Sequence, residues 1–277
     1  MRPISIPAYI QHCWQNNLSF NEKIQTVKQS YQKLAKENPQ VSVVIPAYNE
    51  EQNILQTLLS LSNNHTEYPV EIIVVNNNST DNTVQLVKAT GVICIDELKK
   101  GITAARTAGL MAAKGKYILN ADADTIYPQD WIQLMIEPLE KKDIALTYGK
   151  FSFIPVGKTG RLTYFFYEYF ADFIRWINGL KKDEAVNVYG FNSAYKREQG
   201  LLVNGYQHPP GNNEDGYLAL KLRNKGFGKL HRVTQSKALV WTTDRRIQAD
   251  GGLYNATVKR LKKLFSRSKE ITVRGDL

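Results

Sequence analysis

Cysteine is scarce in this chain of 277 residues. The two cysteines, Cys13 and Cys94, are far apart in the sequence and do not have the spacing of a metal-binding pair. This scarcity excludes a small secreted domain held by disulfides and a cysteine-ligated zinc module. We expect both thiols to be reduced, with Cys94 inside a strand, in a cytosolic setting.

Long hydrophobic runs are also absent. No stretch reaches the about 18 consecutive apolar residues that mark a membrane-spanning helix. The opening MRPISIPAYIQHCWQ lacks the continuous apolar core of a signal peptide. We therefore expect a cytoplasmic protein that does not cross a membrane.

Acidic residues are outnumbered by basic ones. Lys and Arg total 36 against 26 Asp and Glu, which gives a net charge of +10 and a pI near 9.4. A hydrophobic content of 43% and a charged content of 22% are typical of an ordinary globular fold, so disorder is not indicated. The positive excess would suit nucleic acid, anionic lipid or phosphorylated substrates.

The first periodic pattern in the chain is helical. Ser19 and Glu22 have the spacing of a capping box, and apolar residues then recur at helical intervals up to the break at Pro39. Residues 1–38 are therefore predicted to form an N-terminal helical extension.

Short segments rich in Val and Ile then alternate with helical patterns. The predicted strands are VSVVIP (41–46), VEIIVV (70–75), GVICI (91–95) and KYILNAD (116–122). This alternation predicts an α/β fold with a Rossmann-like, mostly parallel central sheet flanked by helices. Ligands of such sheets bind at the carboxyl ends of the strands, where the polar clusters AYNEE, NNNSTD and ADADT fall.

Two carboxylates, Asp122 and Asp124, follow the fourth predicted strand with one residue between them. If the backbone stays extended, both side chains point to the same side, with about 7 Å of chain between them. A divalent cation would relieve their repulsion, and phosphates often accompany such a cation. The alternative interpretation is a pair of solvated carboxylates at a strand end.

The ordered motifs of the chain resemble those of family-two glycosyltransferases. The resemblance rests on VIPAYNEEQNI, IIVVNNNSTDNT, KGITAARTAGLMAAKGKYILNADADT and GFNSAYKRE…GNNEDGYLALKLRNKG, and it runs from about residue 41 to residue 231. It implies a GT-A fold and transfer of a sugar from a nucleotide diphosphate sugar, usually with inversion and with Mn2+ or Mg2+. It also implies a nucleotide-sugar-binding half at residues 39–150 and an acceptor-binding half at residues 151–235.

The same resemblance implies roles for individual donor-side residues. Asp122 and Asp124 would hold the metal, with Asp122 also near the substrate. The residues that would line the donor site are Pro46, Ala47, Tyr48, Glu50, Asn76, Asn77, Lys100, Arg106, Arg245 and Arg246.

Several of these donor-side residues have a simpler interpretation. Asn49 with Glu50 and Glu51 could begin a helix, and Lys100 could lie on a solvated helix face. Asn76 and Asn77 stand where relatives commonly have paired aspartates, which leaves the base of the donor open. Asp81 is a further carboxylate near the pocket, or a residue at a helix N-terminus.

On the acceptor side, Asp215 would be the catalytic base, with Glu214 beside it. An acidic pair at a helix start also stabilises the helix without any function. His208 and His231 are candidate additional metal ligands, although single histidines more often have structural roles.

Two further segments are amphipathic. In residues 161–178 the apolar residues share one helical stripe, which predicts a buried core helix or a membrane-facing one: Leu162, Phe165, Phe166, Tyr169, Phe170, Phe173, Ile174 and Ile177. Residues 236–277 form a basic amphipathic C-terminal segment that would bind anionic lipid or remain a solvated tail.

Taken together, these patterns predict an inverting, hexosyltransferase-like enzyme. The predicted partners are a nucleotide diphosphate sugar donor, a glycan or lipid-linked acceptor and an anionic membrane surface at the inner face of the cell membrane, in the synthesis of a cell-envelope glycan. A non-catalytic nucleotide-sugar-binding scaffold is the first alternative, because of the two asparagines. A nucleic-acid-binding protein is the second, but no recognised reader motif appears and we expect no nucleic acid partner.

Overall fold

The computed structural model describes residues 2–181, 183–249, 251–255 and 257–258, except for the side chains of residues 178 and 181. The strands are β1 Val41–Ala47, β2 Val70–Asn76, β3 Ile93–Asp96, β4 Tyr117–Asn120, β5 Thr125–Ile126, β6 Ile144–Tyr148, β7 Phe151–Ile154, β8 Ser193–Lys196, β9 Lys229–Arg232 and β10 Val240–Thr243. The helices are α1 Ala8–Trp14, α2 Phe20–Leu34, α3 Ile54–Ser62, α4 Thr83–Ala89, α5 Ile102–Ala112, α6 Trp131–Ile136, α7 Arg161–Lys181, α8 Arg197–Leu202, α9 Glu214–Asn224 and α10 Arg245–Ala249.

Seven strands form the central sheet, in the order β3-β2-β1-β4-β8-β6-β9. β1 is parallel to β2 and β4, β2 is parallel to β3, and β6 is parallel to β9, whereas β8 is antiparallel to both of its neighbours. The carboxyl ends of β1, β2, β4, β6 and β9 therefore meet at one edge of the sheet. The predicted α/β architecture with a mostly parallel sheet is confirmed.

The N-terminal helices pack against the sheet domain. Ser19 caps α2, since its Oγ accepts from the Glu22 amide at 3.3 Å while the Ser19 amide donates to Glu22 Oε2 at 2.8 Å, so the predicted capping box is confirmed. Val27 and Tyr31 belong to the same buried cluster as the strand residues of β1 and β2. Cys13 and Cys94 are free, and Cys94 lies in β3 as expected.

A second, three-stranded sheet has the order β5-β10-β7. β10 runs antiparallel to β5, with Trp241 opposite Ile126 and Thr242 opposite Thr125, and it runs parallel to β7. Because β5 directly follows the Asp122–Asp124 segment, this pairing brings the start of α10 close to those carboxylates.

Helix α7 packs one face on the core, with Tyr164, Tyr167 and Ala171 buried, but much of the predicted apolar stripe lies on its exposed face. The exposed side chains recur at intervals of four and three residues along one face, and each is between 41% and 71% exposed: Leu162, Phe166, Tyr169, Phe173, Trp176 and Leu180. Of the other predicted stripe residues, Ile174 is buried and Phe165, Phe170 and Ile177 are half-buried. The charged residues point inward instead: Glu168 is buried, and it accepts two hydrogen bonds from Arg161 and one from the Phe153 amide.

Helix α5 lies directly on the sheet because one of its residues has no side chain. A Cβ at Gly109 would overlap the Val44 side chain of β1, and it would be 3.2 Å from a methyl of Val75 in β2. The neighbouring atoms belong to stiff, fully buried valines, so they cannot move aside cheaply. The close approach matters for the functional edge because α5 carries Arg106.

We predict that Gly109→Ala lowers the free energy of unfolding by about 1–3 kcal/mol, the usual cost of overpacking a core. Urea denaturation measures it. Gly179→Ala is the matched control, because Gly179 also lies inside a helix but its added Cβ would meet only Asn187, at 3.4 Å. That variant should be stabilised by about 0.5–1 kcal/mol through helix propensity alone. A stability gain in both variants would contradict the close packing of α5.

Candidate functional site

The loops after β1 and β2 are bound to each other by side-chain hydrogen bonds. Asn49 Oδ1 accepts from the Thr80 amide at 2.8 Å, and Asp81 Oδ2 accepts from the Glu51 amide at 3.1 Å. Asp81 Oδ1 also accepts from the Thr83 amide at 3.0 Å at the start of α4. Asp81 therefore has the helix-terminal role that was one of its two predicted roles, whereas Asn49 does not cap a helix, since α3 begins after Asn53.

Asn76 and Asn77 hold the loop after β3. Asn77 Nδ2 donates to the carbonyls of Glu97 and Lys99, both at 2.8 Å, and its Oδ1 accepts from the Gly101 amide at 2.8 Å. Asn76 Nδ2 donates to Asp96 Oδ1 at 2.7 Å. An aspartate at position 77 could not donate to these two carbonyls, so the asparagine is needed here to hold the loop after β3.

The backbone does not stay extended through the two aspartates, which corrects the prediction from strand alternation. β4 ends at Asn120, and Ala123 and Asp124 form a turn. The Asp122 amide donates to the hydroxyl of the buried Tyr127 at 2.8 Å, which fixes the start of this turn. As a result, the two carboxylates contact two different arginines.

Asp122 contacts Arg106. Arg106 Nη2 donates to Asp122 Oδ1 at 3.0 Å, and Arg106 Nε is 3.5 Å from Asp215 Oδ1, so one guanidinium lies between two carboxylates. Arg106 and Asp215 are 2% and 6% exposed. Burial raises the pKa of Asp122 and raises the pKa of Asp215 well above its usual value, and Arg106 opposes the rise in both.

The Arg106 cluster retains unused hydrogen-bonding capacity. Nε and Nη1 of Arg106 and Oδ1 of Asp215 are buried and have no hydrogen-bond partner among the described residues, although Nε and Oδ1 are only 3.5 Å from each other. A side chain at Gly190 would overlap both Asp215 and Arg106, so the backbone of residue 190 lies directly against the pair. The Nη1 donor of Arg106 is the atom of this cluster that a polar ligand could satisfy.

Asp124 contacts Arg245. Arg245 Nη2 lies 2.8 Å from Asp124 Oδ2 and 3.0 Å from Glu50 Oε1, so it connects the turn after β4 to the loop after β1. Burial, followed by the charge of Asp124, raises the pKa of Glu50, and Arg245 opposes the rise. The fully buried Asp244 fixes the start of α10, since it accepts from Tyr164 Oη at 2.6 Å and from the Val156 amide at 2.9 Å.

The oxygen atoms of this site fit a hard divalent cation in part. Asp124 and Asp122 supply carboxylate oxygens, which Mg2+ and Mn2+ prefer. Within the residues that the structure describes, no three His, Cys, Asp or Glu side chains have a metal-binding arrangement. The donor set therefore suits a cation that completes its coordination with ligand phosphates and water.

The remaining predicted residues differ in how closely they approach this cluster. Tyr48 is 59% exposed, and Lys100 is exposed just before α5. Arg246 is exposed and near enough to Asp122 to lower the pKa of that carboxyl. His208 contacts Thr103 Oγ1 at 3.1 Å, and His231 lies on β9, three strands away from β4.

Four contributing residues were not identified from the sequence: Tyr127, Tyr164, Gly190 and Asp244. Each acts through the backbone or through a residue distant in the chain, so spacing alone gives no signal for it. Pro46 and Ala47 lie at the end of β1, and the Ala47 carbonyl accepts from the Asn77 amide at 2.8 Å, as expected for neighbouring parallel strands. Glu214 lies beside Asp215 at the start of α9, which Asn213 caps through the amides of residues 215 and 216.

The chain is similar to curated glycosyltransferases over part of its length. It is 35% identical over 127 residues to an uncharacterized glycosyltransferase of Haemophilus influenzae, covering 43% of this chain and 39% of the relative. It is 25% identical over 195 residues to glycosyltransferase GlyA of Streptococcus pneumoniae, covering 66% and 28%. It is 32% identical over 115 residues to the UDP-Glc:alpha-D-GlcNAc-diphosphoundecaprenol beta-1,3-glucosyltransferase of Escherichia coli, covering 40% and 45%. The chain spans less than half the length of each of these relatives.

Solved structures resemble almost the whole chain. The mannosyltransferase of Pyrobaculum calidifontis in complex with GDP-Man and Mn2+ matches with a TM-score of 0.56 and 19% identity, covering 92% of this chain and 74% of that one. Glucosyl-3-phosphoglycerate synthase of Mycobacterium tuberculosis, in complex with Mn2+, UDP-Glc and phosphoglyceric acid, matches with a TM-score of 0.53 and 20% identity, covering 90% and 85%. At these identities the likeness establishes the fold.

The family model for glycosyl transferase family 2 matches residues 42–199, which is more than half of the chain. That range includes both strand-end loops, Arg106 and the Asp122–Asp124 turn. The chain therefore belongs to glycosyl transferase family 2, and its fold is of the GT-A type.

Proposed function

We propose that the protein transfers a sugar from a nucleotide diphosphate sugar to an acceptor hydroxyl, with inversion and with a divalent cation. The observation that carries this proposal is the position of Arg106 between Asp122 and Asp215. One buried guanidinium thereby joins a carboxylate for the leaving group to a carboxylate for the incoming hydroxyl. The neighbouring structures, solved with GDP-Man or UDP-Glc and Mn2+, support a nucleotide-sugar donor and a divalent cation.

The donor would bind at the carboxyl ends of β1, β2 and β4. Asp124 and Asp122 would hold the cation, which neutralises negative charge on the leaving diphosphate when it is bound. Arg245, released from Glu50 and Asp124, and Arg246 would contact phosphate oxygens. Tyr48 and Asn76 would flank the base, and Lys100 is free to approach the phosphates from the loop before α5.

Asp215 would act as the general base. An acceptor hydroxyl that attacks opposite the leaving diphosphate must lose its proton, and a carboxylate on that face can accept it. The raised pKa of Asp215, caused by burial, is suited to proton transfer, and the contact with Arg106 keeps its orientation. Glu214 would bind acceptor hydroxyls beside it.

The acceptor would be a lipid-linked or phosphorylated molecule in cell-envelope glycan synthesis. The Escherichia coli relative is named for a diphosphoundecaprenol acceptor, and one neighbouring structure holds phosphoglyceric acid. A scaffold that only binds nucleotide sugar is the competing function. The second carboxylate beside Arg106 favours catalysis over binding alone, because one carboxylate would pair the arginine and the other adds a desolvation cost.

We expect Asp124→Asn to weaken donor binding in Mn2+ by about 10–100-fold or more. Residues that only hydrogen-bond to a metal ligand already contribute that much to metal affinity, and a ligand itself should contribute no less. In the presence of a chelator the variant and the parent should bind alike. Titration calorimetry with UDP-, GDP- and dTDP-sugars measures both conditions. Asp130→Asn is the control, because Asp130 pairs with Lys237 at 2.9 Å and is not one of the residues proposed for the donor site. Equal losses with and without metal would remove the metal role of Asp124.

Asp215→Asn should retain donor binding and lower turnover by about 10²–10⁴-fold, the usual contribution of general-base catalysis. Asparagine keeps the size and hydrogen bonding of the side chain but cannot accept the proton. NMR of the product should show the anomeric configuration opposite to that of the donor. Near-normal turnover, or a product with retained configuration, would show that Asp215 is not the base.

The protein would bind peripherally to an anionic membrane through the outer face of α7. That face exposes Trp176 and Tyr169, residues that favour the membrane–water interface, and the exposed Lys158 precedes the helix. No described helix is long and apolar enough to cross a bilayer, so α7 would lie in the interfacial plane. The net charge of +10 complements anionic lipid. The predicted basic segment after residue 258 lies outside the described residues.

Vesicle flotation tests this docking. The parent should bind phosphatidylglycerol-containing vesicles, less so as salt rises, because salt screens the attraction. Phe166→Gln with Trp176→Gln should reduce binding severalfold, whereas Leu202→Gln, which changes an equally exposed leucine on α8, should not. Deletion of residues 254–277 tests the tail separately. Unchanged flotation of the α7 double variant would exclude this face as the membrane contact.

A further inference from the structure

A narrow cleft of about 10 Å³, room for about one water molecule, lies under α7, beside the carboxyl end of β6. Gly149 and Lys150 line it from the segment after β6, Asp172 and Arg175 from α7, and Arg232 from the end of β9. We call it the basic cleft. Since β6 and β9 end at the same sheet edge as β4, the basic cleft opens on the side of the molecule that carries Asp122.

Positive charge is in excess around the basic cleft. Four cations converge on the single carboxylate of Asp172: Arg2 at 3.2 Å, Arg232 at 3.5 Å, Lys150 at 3.8 Å, and Arg175 in a direct hydrogen bond. Burial would raise the pKa of Asp172, but Arg175 and Arg2 hold it at about 2. Burial lowers the pKa of Lys150, and its cationic neighbours lower it further against the opposing effect of Asp172.

One of these cations keeps a donor free. Arg175 lines the cleft and is 8% exposed; its guanidinium contacts Asp172 and the side chain of Tyr189, but its buried Nη1 has no hydrogen-bond partner among the described residues. A buried guanidinium donor without an acceptor is costly, and a bound oxyanion would satisfy it. Arginine donors match the oxygen atoms of a phosphate in geometry as well as in charge.

The basic cleft adjoins the candidate base through one short segment. Tyr189 lines the cleft, and the next residue, Gly190, lies against the Asp215 carboxylate, which a Cβ at Gly190 would overlap. Further along, Asn192 Nδ2 donates to the Lys150 carbonyl at 2.8 Å. A group bound in the cleft would therefore lie on the acceptor side of Asp215, away from the diphosphate site at Asp124 and Arg245.

We infer that a phosphoryl group of the acceptor binds at the mouth of the basic cleft, held by the partly exposed Lys150 and Arg232 and by Arg175 below them. This inference rests on the proposed transfer reaction, in which Asp215 takes the proton of the acceptor hydroxyl. The phosphoryl group would anchor the acceptor so that a hydroxyl further along the molecule reaches Asp215. Asp172 supplies the counter-charge when the cleft holds no ligand.

Binding of inorganic phosphate and pyrophosphate in the presence of EDTA tests the cleft without the metal-dependent donor site. Lys150→Met and Arg232→Met should each weaken binding about tenfold, the effect of losing about 1.4 kcal/mol. Lys229→Met is the matched control, because Lys229 lies at the other end of β9 and pairs with Asp143 on the surface. Asp172→Asn removes the competing carboxylate and should tighten binding, provided that circular dichroism shows a folded protein.

Three results would overturn the assignment: no saturable binding at millimolar phosphate, equal weakening in Lys229→Met, or weakening in Arg245→Met but not in Lys150→Met. The last result would assign the anion to the donor side.

Vesicles of phosphatidylcholine with phosphatidic acid separate the two sources of a phosphoryl group. Lys150-dependent vesicle binding supports a lipid headgroup, and Lys150-dependent binding of soluble phosphate alone supports a soluble acceptor. Nucleotide-sugar binding in Mn2+, measured on Lys150→Met, reports separately on the transferase function.

Discussion

The ion cluster of Arg106 with Asp122 and Asp215 is the constraint on which the functional edge depends. It connects α5, the turn after β4 and the start of α9 through side chains alone. A buried guanidinium with a single carboxylate would already be paired, so the second carboxylate is an added cost of desolvation. The close packing of α5 at Gly109 sets the depth from which Arg106 reaches both. A small shift of this helix would therefore change the donor and acceptor sides together.

The two aspartates of the Asp-Ala-Asp motif are divided between two cations. Asp122 is tied to the buried Arg106, whereas Asp124 is held by Arg245, which is 42% exposed and sits on the short helix α10. The Arg106 contact is enclosed and rigid, and the Arg245 contact is at the surface, where an ion pair is weak and easily exchanged. This asymmetry suits a site in which a metal–diphosphate group displaces Arg245 from Asp124 while Arg106 stays in place.

Alternating strands and helices, the capping box and the strand-end position of the polar clusters could be predicted from the sequence, because each depends on local patterning. The turn at Ala123–Asp124 could not, since it is fixed by the hydroxyl of Tyr127 and by pairing of β5 with β10, more than a hundred residues later. The orientation of α7 also depends on distant partners. Periodicity identifies an apolar face, but Glu168 and Asp172 point inward because Arg2, Arg161 and Ser152 pair with them there.

The orientation of α7 is costly in two respects, and both costs point to the acceptor side. An outward face with Phe166, Phe173 and Trp176 leaves a large apolar surface in water, and such surfaces mark contact sites. An inward face with Glu168, Asp172 and Arg175 requires several buried ion pairs, although apolar residues of similar volume are often at least as stabilising. In the proposed arrangement, the inner charges of α7 would line a cleft for a phosphoryl group near Asp215, and its aromatic face would contact the lipid surface from which such an acceptor comes.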